Sequence, residues 1–120
     1  MTKAEHRLPE LLQGCAALRA QAAYLTGLGE AEFCSSGVAG QVSRLAAAQL
    51  IIQVQALVED LPDVAVERLP SMTLREIRGM RNRLAYGYGD IDVAMMWDTI
   101  SRDVPEFLGR YDSSHAREFP

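Results

Sequence analysis

The sequence predicts an all-α protein, and three observations carry that prediction. Apolar residues recur at alternating steps of three and four, so that Leu8, Leu11, Cys15, Leu18, Ala22 and Leu25 share one stripe of a helix. Glycines, prolines and capping residues fall between such periodic segments, as at Gly27, Gly29 and Pro70. No strand-like alternation, internal repeat or low-complexity tract interrupts the pattern.

The first helix is expected from Ala4 to Gly27, ended by Gly27 and Gly29. "EAEFCSSG" then makes a linking turn, with Ser35 or Ser36 as N-cap of the next helix. That second helix, from Gly37 to Leu61, is apolar around most of its circumference. Val38, Val42, Leu45, Ile52 and Ala56 form one stripe, and Leu50, Val54, Leu57 and Leu61 form another. One stripe is enough to meet a protomer's own core. Two imply burial on two sides, either by a second subunit, giving a homodimer, or by the helix's own neighbours.

"LPDVAVERLPSM", with its two prolines, is a connector. Thr73 to Glu76 has the pattern of a capping box that opens a third long helix, with Leu74, Ile77, Met80 and Leu84 on its buried face. Asp92 caps a fourth helix from Val93 to Asp103, where Met96, Trp97 and Ile100 are the apolar residues. Pro105 kinks or restarts that helix, helped by the pair Asp103 and Glu106. Residues 1–111 thus form one helical domain, and the tail 112–120, "DSSHAREFP", has no apolar period.

The composition, 48% hydrophobic and 23% charged, suits a soluble globular chain of 13.2 kDa. No apolar run reaches membrane-spanning length and the N-terminus lacks an apolar signal core, so a cytoplasmic protein without membrane contact is expected. Cys15 and Cys34 are expected as thiols, and His6 and His115, near opposite ends, offer no metal site; no cofactor is expected either. The net charge of −4 hides an asymmetry: Arg68, Arg75, Arg78, Arg81 and Arg83 fall within sixteen positions, without a lysine. An acidic remainder argues against broad nucleic-acid binding, whereas clustered planar guanidinium forks suit a local phosphate or carboxylate site. The competing reading is a solvated helix face.

The arginines lead into "RGMRNRLAYGYGDID", residues 78–92. Arg81 and Tyr86 are five residues apart, about 140° around a straight helix. A bend at Gly87 would let them converge on a cleft, with Asn82 between them as an orienting hydrogen bonder. Such a pair is half of a phosphodiester-cleaving site, and a second copy across a two-fold axis would complete it.

"IRGMRNRLAYGYGDIDVAMMWDTISRDVPEFL" resembles the C-terminal half of HepT-like toxins of the HEPN superfamily, whose signature is Arg, four residues, His, one residue, Tyr. Arg81 matches the arginine, Asn82 the polar residue that follows it, and Tyr88 the closing tyrosine; Tyr86 stands at the histidine position. The helix order agrees from residue 6 to 111. The resemblance implies an antiparallel helical bundle that dimerises to bring two motifs into one cleft, and a metal-independent endoribonuclease acting as a toxin. It also implies a nucleotidyltransferase antitoxin that transfers AMP onto Tyr88. Arg75, Arg78 and Arg83 would then contact RNA phosphates.

Tyr86 departs from the pattern. Histidine accepts and donates protons near neutrality, whereas a phenol is ionised there only to roughly one part in a thousand. An RNase impaired at residue 86 is therefore expected. The alternative is a non-catalytic HEPN module that binds a nucleotide, RNA or a nucleotidyltransferase.

Overall fold

The computed structural model describes residues 8–61, 63–86 and 91–110. The expected helix start near Ala4, the side chains of Leu8 and Leu11, the glycines at 87 and 89, Tyr88 and the tail lie outside the described residues. Among those described, every regular element is helical, and the helices pack as a bundle.

Helix α1, Leu8–Gly27, buries Cys15, Leu18, Ala22 and Leu25, four members of its expected stripe. The Cys15 thiol donates to the Leu108 carbonyl at 3.6 Å and so ties α1 to the helical segment 104–110. Cys15 and Cys34 are both thiols. Gly29 follows at φ 94°, a left-handed conformation that glycine adopts without Cβ strain.

The linking segment is more ordered than the sequence suggests. Glu30–Phe33 forms a single helical turn, α2, whose buried Phe33 meets Trp97 with ring centroids 5.2 Å apart. Neither Ser35 nor Ser36 caps the next helix. Gly37 occupies that position without a side-chain bond, while the Ser35 hydroxyl donates backwards to the Glu32 carbonyl at 2.8 Å. Arg44 donates to the carbonyls of Phe33 and Ser35, both at 2.7 Å, satisfying the end of α2 from the next helix. A Cβ at Gly40 would collide with the Ser35 carbonyl and hydroxyl oxygens, so this approach requires glycine.

Helix α3, Val38–Glu59, is the central element and packs against α1, α2 and the later helix Ser71–Tyr86. Leu50, Val54, Leu57 and the following Leu61 are buried. Full burial of a side chain such as Ile51 or Val54 stabilises by about 1.5–3 kcal/mol. The other stripe faces outward: Val38, Val42, Leu45 and Ile52 are exposed, with Leu45 at 72%, and Ala56 is exposed beside them.

The connector holds a short helix, α4, Asp63–Glu67, that its two prolines concealed. Helix α5, Ser71–Tyr86, begins before the expected capping box, with the Pro70 carbonyl accepting from the Leu74 amide at 3.2 Å. Thr73 is therefore not a cap. It lies one turn inside, buried, with its hydroxyl 3.5 Å from a Glu106 carboxylate oxygen. Ile77 and Met80 are buried, and Leu74 and Leu84 half-buried.

Helix α6, Val93–Asp98, is capped as expected: the Asp92 carboxylate accepts from the amides of Ala94 and Met95 at 2.9 and 3.2 Å. The helix neither breaks nor restarts at Pro105. It widens into a π turn, Thr99–Asp103, in which the Val104 amide donates to Thr99, and continues as helix over 104–110. Proline lacks an amide proton and its ring crowds the preceding turn; widening that turn accommodates it without a break. Asp103 is consequently buried in the bundle and does not serve as a cap. Among the described residues no helix is long and apolar enough to cross a membrane.

Candidate functional site

The arginines of α5 divide between two sides of the helix. Arg81 points toward α3, where its Nη2 donates to the Glu59 carboxylate at 3.0 Å. The same carboxylate oxygen accepts from Gln55 Nε2 at 3.3 Å. Gln55 is 3% exposed, and its Oε1 and the Arg81 Nε are buried without a hydrogen-bond partner. Glu59 continues the outward stripe, being three and seven residues beyond Ala56 and Ile52, so the stripe ends at the carboxylate that holds Arg81. An apolar groove of about 500 Å³ opens beside Leu45, with Ala48, Leu84, Ile91 and Met96 in its walls.

Helix α5 stays regular through Tyr86, which is 85% exposed, and Asn82 is exposed as well. The last turn is thus unbent as far as Tyr86. Five helical steps keep Arg81 and Tyr86 about 140° apart within a protomer. Tyr88 lies outside the described residues.

Arg75 and Arg83 lie on another side of α5, with Gly79 between them, and face α6 across a cavity of about 380 Å³. Arg83 Nη1 is 2.9 Å from the Met95 sulfur. Arg75 and Arg78 make no ion pair among the described residues, and Arg78 is exposed outside the cavity. Across the cavity the π turn contributes Arg102 and Asp103, whose Nε and Oδ1 are 3.6 Å apart. The sequence reading did not single out Gln55, Glu59 or Arg102, and it read Asp103 only as part of a cap. The i, i+4 spacing of Gln55 and Glu59 was visible, but their partner lies on another helix.

Burial pushes the Asp103 carboxyl above its ordinary value of 3.8, and the attraction of Arg102 only partly offsets this. Because the folded state holds this proton more tightly than the unfolded chain, stability from Asp103 is full at pH below 3.8 and is lost as pH rises through the folded value. Asp103→Asn is therefore expected to raise stability at neutral pH relative to the parent. That gain should shrink on acidification, as measured by urea unfolding at several pH values. A gain that grew toward low pH would contradict the sign.

Residues 16–110 match the family described as "Ribonuclease HepT-like". The chain belongs to the HepT-like ribonucleases. Its similarity to curated HepT-like proteins is local. It is 33% identical over 43 residues to a probable ribonuclease HepT of Thermococcus cleftensis, covering 36% of this chain and 39% of that protein. It is 27% identical over 55 residues to a candidate RNase of Methanocaldococcus jannaschii, covering 46% of this chain and 47% of that one. The matched segments thus span less than half of each relative. No solved structure matches the chain. The helical bundle is consistent with the HepT-like assignment.

Proposed function

We propose that this HepT-like chain is the toxin subunit of a toxin–antitoxin pair, a metal-independent endoribonuclease of the Arg-x4-His-x-Tyr type impaired by Tyr86. The observation that carries this reading is the outward stripe of α3, which ends at the Glu59 carboxylate paired with Arg81. A two-fold pairing of these stripes buries Val42, Leu45 and Ile52 against a second copy and brings two Arg81 side chains toward one cleft. The groove beside Leu45 offers room for the partner's apolar side chains. Dimerisation also supplies what one protomer lacks, since Arg81 and residue 86 of a single helix diverge.

In that cleft Arg81 stabilises charge on the scissile phosphate, Asn82 orients the group at 86, and Arg78 binds flanking phosphates. Residue 86 takes the 2′-hydroxyl proton as the 2′-oxygen attacks phosphorus; the P–O5′ bond breaks, giving a 2′,3′-cyclic phosphate and a 5′-oxygen that takes its proton from solvent. A neutral phenol performs this step poorly, which leaves RNA binding as the stronger activity of the chain. Tyr86 by itself equally favours the second reading, a non-catalytic module that binds RNA, nucleotide or a nucleotidyltransferase.

The dimer is tested by Leu45→Glu, which places a charge in the apolar stripe. Light scattering at tens of micromolar should give a dimer for the parent and a monomer for the variant; a monomeric parent would remove the shared cleft. Silencing by an antitoxin places AMP on Tyr88, where a bulky anion blocks an arginine-lined cleft. Mass spectrometry after incubation with the cognate nucleotidyltransferase, ATP and magnesium should find the AMP mass on Tyr88, lost in Tyr88→Phe. Modification confined to Tyr86 would show that silencing works differently here.

A further inference from the structure

Gln55 lies buried on α3, one turn before Glu59. Burying an amide destabilises a fold unless both of its ends are bonded, and here only one is. Nε2 donates to Glu59 Oε1 at 3.3 Å, while Oε1 of the amide has no partner. A methionine or leucine of similar volume would fill the same space without that penalty, so packing does not account for the amide.

Glu59 breaks a second local rule. It is the last residue of α3, where the helix dipole disfavours a carboxylate, and no basic residue in that turn offsets it. Both departures converge on one contact. The amide of Gln55 fixes the same carboxylate oxygen that accepts from Arg81 Nη2 at 3.0 Å. Sequence choices that work against stability and meet at one group are a mark of function.

The manner of the hold suits a phosphate ligand. Glu59 grips Arg81 by Nη2, the Arg81 Nε is buried without an acceptor, and Nη1 donates to nothing among the described residues. A long, rotamer-rich side chain is thereby restrained at one nitrogen, without the whole guanidinium fork being consumed.

We propose that Gln55 is a positioning residue for Arg81, acting through Glu59: it pins the carboxylate, and the carboxylate aims the guanidinium. This role rests on reading Arg81 as the phosphate-binding group of the proposed cleft.

The test uses the full chain with Tyr86→His, where cleavage is expected to be measurable. Gln55→Met keeps the bulk and removes the donor. It should lower kcat about tenfold and leave KM within about twofold, as misalignment of a transition-state group does. Its urea midpoint should rise, because the unbonded buried amide oxygen is gone. Glu59→Ala, at a half-exposed position, should lower kcat by a similar factor while KM falls, since a negative charge leaves the phosphate site. Combining the two should cost no more than Glu59→Ala alone, because Gln55 acts only through that carboxylate.

A second readout needs no cleavage. In the parent, the NMR resonance of the Arg81 Nε–H, assigned by its absence in Arg81→Lys, should exchange slowly with solvent and exchange faster in Gln55→Met. A Tyr86→His chain that does not cut RNA would overturn the RNase reading, while this exchange rate still decides whether Gln55 holds Arg81. Unchanged exchange in Gln55→Met, an unchanged kcat in a cleaving background, additive losses in the double variant, or a loss of stability in Gln55→Met would overturn the proposal.

Discussion

Tyr86→His is expected to raise RNA cleavage about 10²–10⁴-fold, the usual contribution of a positioned general base. The variant should also slow growth sharply when expressed without an antitoxin, while the parent is harmless or weakly toxic. The fold should be indifferent to the change, because Tyr86 is 85% exposed at the end of α5. Parent and variant are therefore expected to share their circular dichroism and oligomeric state and to differ in ribonuclease rate. Equal rates would remove residue 86 from proton transfer and leave the non-catalytic module as the better reading.

In the Tyr86→His background, Arg81→Ala is expected to lower cleavage about 10²–10³-fold, the usual cost of removing a group that stabilises developing charge. Stability should change little. The Arg81–Glu59 pair is partly exposed, and pairs of that kind contribute about 0–1 kcal/mol. Chelation by EDTA should leave the Tyr86→His rate unchanged, because the proposed proton transfer and phosphate contacts use only side chains of this chain. Full activity in Arg81→Ala, or loss of activity with EDTA, would contradict the assignment.

The fold was legible wherever a local rule decided it. The stripe of α1 was correct at Cys15, Leu18, Ala22 and Leu25, because 3.6-residue periodicity is a property of one helix alone. Asp92 was readable as a cap because its carboxylate bonds amides two and three residues away. Thr73 fitted the same kind of pattern and failed, since Pro70 starts the helix earlier and Glu106 on another helix provides the partner. The π turn was also out of reach, because a proline announces stress on a helix without saying whether the helix breaks or widens.

By itself, the sequence determined that the chain is helical, that α3 carries two apolar stripes, and that arginines concentrate on α5. These follow from residue chemistry and a fixed angular step. Only the tertiary structure decided which stripe is buried, and it chose Leu50, Val54, Leu57 and Leu61, leaving Val38, Val42, Leu45 and Ile52 outward. It also divided the arginines, setting Arg81 against Glu59 and Arg75 with Arg83 around the π-turn cavity. The physical reason is that helical phase fixes which residues share a face, whereas the neighbour each face meets depends on packing between segments distant in sequence.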